Sequence, residues 1–231
     1  SANKADDGSL SLFFGKDHGL KNSLCLNTNH AFFGDDCHGW TQNGFTNIEW
    51  GCRTPVDGLD KYQDPEIYSA TRKFSTIVEN VGINEKRRIL FERKNPKYHA
   101  IASFPISHLQ NADRSGIAEF PKHVFIIVKD AMGVLPALGK LTREQAVIFL
   151  LLGYESKWNL AQQDDFPDIF FLPFYNSDLS IYREVFYTEL LYEKLVRSQS
   201  ECWILNVKPL GPDKTDGAVV GLPFLRQFVS A

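Results

Sequence analysis

Residues 10–36 constrain this chain more than any other stretch. Leu10–Phe14 (LSLFF) is a short apolar run, and a glycine-bearing loop, Gly15–Lys21 (GKDHGLK), follows it. Asn22–Leu26 is able to open a helix, and a second apolar run, Ala31–Phe33, ends on Gly34-Asp35-Asp36. Apolar runs of this length between turn residues read as buried strands. Strand, glycine loop, helix and a strand ending in two carboxylates is the outline of a phosphate-binding site. Such a site needs loop amides and a helix N-terminus around phosphate oxygens. It also needs a lysine for the outer phosphates, and a hydroxyl with a carboxylate for a metal ion. The strict pattern G-x-x-x-x-G-K-[ST] is not met, because Leu20 stands at its second glycine and Asn22 at its hydroxyl.

The rest of the chain alternates strands and helices. Gln42-Asn43-Gly44 predicts a hairpin turn, since Asn-Gly suits positive φ, and it leads into a strand over Phe45–Trp50. Asp64 and Pro65 start a helix (DPEIYSATRKF), with Asp as N-cap and Pro in the first turn. Thr76–Val81, Arg88–Phe91, His99–Phe104 and Val124–Val128 read as strands. Leu141–Lys157 reads as the clearest helix, with Thr142 and Gln145 as a capping box and Leu141 placed to staple onto Ala146. Tyr182–Arg197 reads as a second amphipathic helix whose stripe (Val185/Phe186, Leu190/Leu191, Leu195/Val196) is most simply core packing. Glu201–Val207 returns as a strand. Neither a repeat nor a linker breaks the pattern, so residues 1–231 read as one α/β domain around a mixed sheet.

Charge and cysteine usage exclude some functions. With 25 basic and 28 acidic residues the formal net charge is −3, too small to draw nucleic acid or an anionic membrane to the whole molecule. The longest nearly apolar run, Ala146–Gly153, is far shorter than a bilayer span, so membrane insertion is not expected. Four cysteines without a CxxC pair point to a reducing compartment. Asp36-Cys37-His38 looks like a metal cluster, but neighbours on an extended chain face opposite ways. The other histidines (18, 30, 99, 108, 123) show no ligand spacing. Glu85–Lys97 (EKRRILFERKNPK) holds six basic and two acidic residues. It reads most simply as a solvated hairpin; contact with nucleic acid or an acidic partner through Lys86, Arg87, Arg88, Arg93 and Lys94 is the sharper alternative.

Several motifs together identify a family. FFG at 13–15, GDDCHGW at 34–40, NIEWGC at 47–52, DPEIYSAT at 64–71, SFPISH at 103–108, DAMGVLPALGKLT at 130–142 and ELLYEKL at 189–195 all resemble ATP-dependent phosphoenolpyruvate carboxykinase, in that family's order. The resemblance covers nearly the whole chain. It implies the family's P-loop-like C-terminal lobe with a mixed sheet, and a reaction that decarboxylates oxaloacetate with phosphoryl transfer from ATP. It further implies that Lys21 matches the loop lysine, that Asp35 and Asp36 match the metal-binding pair, and that His38 matches that motif's histidine. Gly15, Gly19 and Ser23 fall in the nucleotide loop; Asp64 stands where the family has a ribose-contacting Glu, and Arg226 matches an arginine near the nucleotide.

The same comparison exposes losses. The family's loop reads G-L-S-G-T-G-K-T-T, and here His18 and Leu20 add bulk where a backbone wrapped on phosphate favours glycine. Asp17 puts a negative charge beside a polyanion; at ~4 Å and a surface-like dielectric that repulsion is on the order of several kcal/mol before screening. Asn22 replaces the metal-binding hydroxyl, Pro55 a nucleotide-contacting Lys, and Ile101 an Arg that grips the transferred phosphoryl group. The family's TERG-containing lid, which would exclude water, is replaced by the shorter 162–167 segment (QQDDFP). Ser1-Ala2-Asn3 resembles the end of the family's H-C-S-A-N segment, which places the oxaloacetate-binding lobe upstream of this chain.

The expectation is therefore a member without an intact catalytic set, in which Lys21, Asp35 and Asp36 are remnants. It would act as a structural or accessory subunit held by protein partners in a larger assembly. No cofactor is required on this reading; residual binding of ATP with Mg or Mn is the alternative. A second alternative is an active phosphotransferase completed by a separate chain that supplies the N-terminal lobe, and a third is a nucleotide-sensing module. The expected location is mitochondrial matrix or cytoplasm, not a secreted one.

Overall fold

The computed structural model describes residues 1–26, 29–95, 97–130, 134–157, 168–175, 182–207 and 222–229. In chain order the first elements are β1 (Ala2–Lys4), β2 (Leu10–Phe14), α1 (His18–Leu26), β3 (Ala31–Gly34), β4 (His38–Trp40), β5 (Phe45–Asn47) and β6 (Gly51–Pro55). Then come α2 (Pro65–Ala70), β7 (Ile77–Glu79), β8 (Val81–Ile83), β9 (Ile89–Arg93), β10 (Ile101–Pro105) and β11 (Ile117–Ala118). The last are β12 (Pro121–Val128), β13 (Leu138–Leu141), α3 (Arg143–Leu152), β14 (Tyr154–Lys157), β15 (Asp168–Phe171), α4 (Glu184–Ser198), β16 (Glu201–Asn206) and α5 (Leu222–Val229). The chain gathers into two compact units. One is Ser1–Ser9 with Asp17–Glu119, and the other is Leu10–Lys16 with Phe120–Val229.

The second unit holds a mixed sheet, as the α/β reading predicts. β12 lies between β2 and β16 and runs parallel to both, while β13 closes the other side of β16 in antiparallel register. A strand with parallel neighbours on both edges and covered faces reads as a continuous apolar run, and Val124–Val128 are all buried. Phe13 stacks on Phe125 at 5.0 Å, and Phe228 of α5 meets both Phe125 (6.2 Å) and Trp203 (5.3 Å). The capping box of α3 is formed: Gln145 N–H donates to Thr142 Oγ1 (3.2 Å) and Thr142 N–H donates to Gln145 Oε1 (2.9 Å).

Two helix readings need correction in this unit. The predicted helix over Leu141–Lys157 stops at Leu152, and Tyr154–Lys157 is instead a strand paired with β15. Gly153 causes the stop. It adopts the left-handed conformation (φ 55°), and a Cβ there would overlap the Leu172 carbonyl oxygen. The helix predicted over Tyr182–Arg197 is present as α4, but its stripe is not a core stripe. Among the described residues Val185, Phe186, Leu190 and Val196 are exposed and Leu195 is the buried member. An i, i+4 stripe reports a helix face that is apolar, not what covers it.

The first unit is built from smaller sheets. β1 and β3 pair antiparallel, β4–β5–β11 and β6–β10–β7 form two three-stranded sheets, and β8–β9 is a two-stranded ribbon. Phe32, Phe33, Leu24 and Cys25 are fully buried here. Burial of each of the two phenylalanines and the leucine contributes about 2 kcal/mol. The predicted turn at 42–44 is present, with Thr41 N–H bonded to Gly44 O at 2.9 Å, though β5 ends at Asn47 and not at Trp50. Asn43 keeps a negative φ; Gly44 is needed because a Cβ would sit 2.7 Å from Ala118 O. The strand read over Thr76–Val81 is broken at Asn80 (φ 56°), and the helix from Asp64 stops at Ala70. None of the four cysteines forms a disulfide, and no helix among the described residues is long and apolar enough to cross a membrane.

Candidate functional site

The helix α1 begins at His18, four residues before the start expected from the sequence. Asp17 sets that start. Its Oδ1 accepts from Leu20 N–H at 3.0 Å, the bond of an N-cap residue, and its carbonyl accepts from Lys21 N–H at 3.0 Å. A helix N-terminus offers amides and a partial positive charge to an anion. Here the chain's own carboxylate takes that place.

The earlier start puts His18, Lys21, Asn22 and Cys25 at i, i+3, i+4 and i+7, on one helix face. Lys21 is buried and its Nζ donates to Asp36 Oδ1 at 2.8 Å. His18 Nδ1 lies 2.7 Å from Asp36 Oδ2. Asp36, 35% exposed, is thus held from both sides. Burial pushes its carboxyl up, but the bonds and charge of His18 and Lys21 outweigh burial and hold it well below the usual carboxylate range.

Asp35 is buried and differently engaged. Its Oδ2 accepts from Arg53 N–H at 2.8 Å, and its Oδ1 accepts from the Ser1 hydroxyl at 3.3 Å. His18, Asp35 and Asp36 each offer a ligand atom, and these atoms lie within 4.8 Å of one another. That set suits a divalent cation, which would compete with Lys21 and with the His18–Asp36 hydrogen bond. The fold thus brings His18, which shows no ligand spacing in the sequence, beside both carboxylates. The missed signal was Asp17: as N-cap it moves His18 onto the lysine's face.

Asn22 stands at the hydroxyl position and is buried. Its Oδ1 accepts from the Ser1 hydroxyl (2.9 Å) and its Nδ2 reaches Cys52 Sγ (3.6 Å). Burial pushes the Cys25 thiol up to about 12 and the Cys52 thiol well above its usual range, so neither is a ready nucleophile. Ser23 donates to Asp64 Oδ1 at 3.1 Å. Asp64 occupies the N-cap position of α2, but its side chain makes no capping bond, because it is turned to Ser23. Gly19 has no steric need to be glycine: a Cβ would find ordinary contacts of 3.6 Å with Asp17 and 3.7 Å with Pro55.

Pro55 and Ile101 are direct cross-strand partners of β6 and β10. The two positions where the family resemblance leads one to expect cations thus form one apolar cross-strand pair, with Pro55 next to Gly19. His38 stacks on Phe45 (5.1 Å) and Phe33 (6.0 Å), and burial lowers its pKa to about 3, which keeps the ring neutral. In the second unit, Gly15 ends β2, where a Cβ would lie 3.1 Å from Ile127 Cβ, and Arg226 is half-buried on α5. The 162–167 segment read as a shortened lid lies outside the described residues.

Comparison with known proteins agrees with the motifs. A family model described as phosphoenolpyruvate carboxykinase matches residues 1–231. The chain is 36% identical over 238 residues to a phosphoenolpyruvate carboxykinase (ATP) of Geotalea uraniireducens (strain Rf4), a match that covers 100% of this chain and 44% of that protein. It is 34% identical over 233 residues to the enzyme of that name from Geobacter sp. (strain M21), with the same coverage. The Rhizobium etli protein of that name is 33% identical over 207 residues, covering 89% of this chain and 39% of that protein. The chain spans less than half the length of these curated relatives. With its motifs, its mixed sheet and a family match from end to end, the chain belongs to the phosphoenolpyruvate carboxykinase family.

Proposed function

We propose that this chain is a member of the family that does not turn over substrate and serves as a structural or accessory subunit of a protein assembly. One observation carries the reading. The groups that would meet a nucleotide phosphate are bonded to the chain's own side chains: the α1 N-terminus to Asp17, and Lys21 to Asp36, which also holds His18. The apolar Pro55–Ile101 pair supports it, since two cations that the family resemblance leads one to expect are absent together.

The test is an assay of the purified chain with oxaloacetate, ATP and Mg or Mn, read as phosphoenolpyruvate formed. The expected result is no product above the uncatalysed background, and ordinary turnover overturns the reading. In parallel, Asp17→Gly with His18→Gly frees the helix N-terminus and one side of Asp36. ATP affinity by calorimetry should rise severalfold, and Lys21→Ala should abolish that gain.

A second reading, a nucleotide- or metal-responsive binding module, is favoured by the convergence of His18, Asp35 and Asp36. Calorimetry of the unaltered chain separates the two. Stoichiometric ATP binding that needs Mg or Mn selects the second reading.

A further inference from the structure

The β8–β9 ribbon carries charge that the rest of the molecule does not neutralise. Residues 85–97 hold six basic and two acidic side chains, a local +4 on a chain of net −3. Arg93 is committed to Asp57, with Nε to Oδ1 at 2.7 Å and Nη2 to Oδ2 at 3.3 Å. Lys86, Arg87, Arg88, Lys94 and Lys97 are exposed and have no ion pair among the described residues. The tip is well defined. Asn84 Oδ1 accepts from the Lys86 N–H (3.0 Å) and the Arg88 N–H (2.9 Å), so the three successive cations are displayed on a bonded turn. Exposed apolar side chains flank them, one on each face of the ribbon: Ile83 is 67% exposed and Leu90 43%.

We propose that this ribbon is a docking surface for an acidic protein segment whose carboxylates alternate with apolar side chains. Unpaired cations and exposed aliphatic residues on one ribbon match both features of such a segment. A nucleic acid would use the cations and aromatic rings, but it has no counterpart for Ile83 and Leu90. The proposal does not depend on whether the Lys21 site turns over.

The experiment is fluorescence anisotropy of the full chain with three probes: a glutamate peptide interrupted by leucines, an all-glutamate peptide and an oligouridylate. The mixed peptide should bind tightest, and its affinity should fall as salt rises. Charge reversal at the tip (Lys86→Glu, Arg87→Glu, Arg88→Glu) should weaken it by about tenfold or more. Ile83→Ser with Leu90→Ser should weaken the mixed peptide severalfold and leave the all-glutamate peptide unchanged. All four substitution-bearing residues other than Leu90 lie well out in solvent, and circular dichroism checks that each variant folds. Equal or tighter oligouridylate binding overturns the proposal in favour of a nucleic acid. Mixed-peptide binding that the charge reversal does not change overturns it in favour of a solvated surface.

Discussion

His38 and Asp36 are two residues apart, and both make the fold less stable in acid, for different reasons. Burial keeps His38 neutral, with a pKa near 3 against about 6.5 in an unfolded chain. The unfolded state therefore binds more protons as pH drops below about 6.5, and stability should decline from there towards pH 3. His38→Phe keeps the stacking on Phe33 and Phe45 and should flatten that slope in urea denaturation at stepped pH. Asp36 is depressed in the fold, so its contribution is present above about pH 4, the unfolded carboxylate value, and is lost as pH falls through that region. Asp36→Asn leaves the buried Lys21 ammonium without its carboxylate. The expected loss at pH 7 is about 2 kcal/mol, below the cost for a fully buried pair because Asp36 is 35% exposed. An unaltered urea midpoint at pH 7 would show that the Lys21–Asp36 bond does not hold in solution.

At the scale of elements, helix ends are decided by one residue each. Gly153 ends α3: a lone glycine just past the apolar run Ala146–Leu152 is the stop signal in the sequence, and periodicity alone does not weigh it. Gly153→Ala forces a left-handed φ on a residue with a Cβ and pushes that Cβ into Leu172. It should cost about 3 kcal/mol in thermal or urea unfolding. Thr142→Ala removes only the cap at the other end and should cost about 1 kcal/mol. The buried strands were legible because Leu10–Phe14 and Val124–Val128 are apolar on both faces. The α4 stripe was legible as a helix face but not as an exposed one, because burial depends on neighbours distant in sequence. In the site, Lys21, Asp35 and Asp36 could be found from motifs. His18 is found only once Asp17 is read as an N-cap, which moves the helix start by four residues; motif spacing alone does not encode that.

At the scale of the whole molecule, the described residues pass between the compact units three times, around residues 9, 16 and 119. Neither unit is one continuous stretch. β12 takes one of its two parallel partners, β2, from a segment more than a hundred residues earlier. A fragment starting at Phe120 should therefore lack native structure, with one edge of an otherwise buried strand unpaired. A peptide spanning Ser9–Asp17 should restore it, as read by near-ultraviolet circular dichroism. A fragment that folds unaided would show that β2 is dispensable.

The N-cap at Asp17 also bears on the history of this chain. On the proposed reading, the residue that opposes an anion also holds the first turn of α1. Replacing it with the glycine that phosphate favours removes a fold contribution before any ligand returns one. If the chain has given up phosphate, as proposed above, reversal is uphill at its first step: the loop would act as a ratchet, and the way back would need several substitutions together.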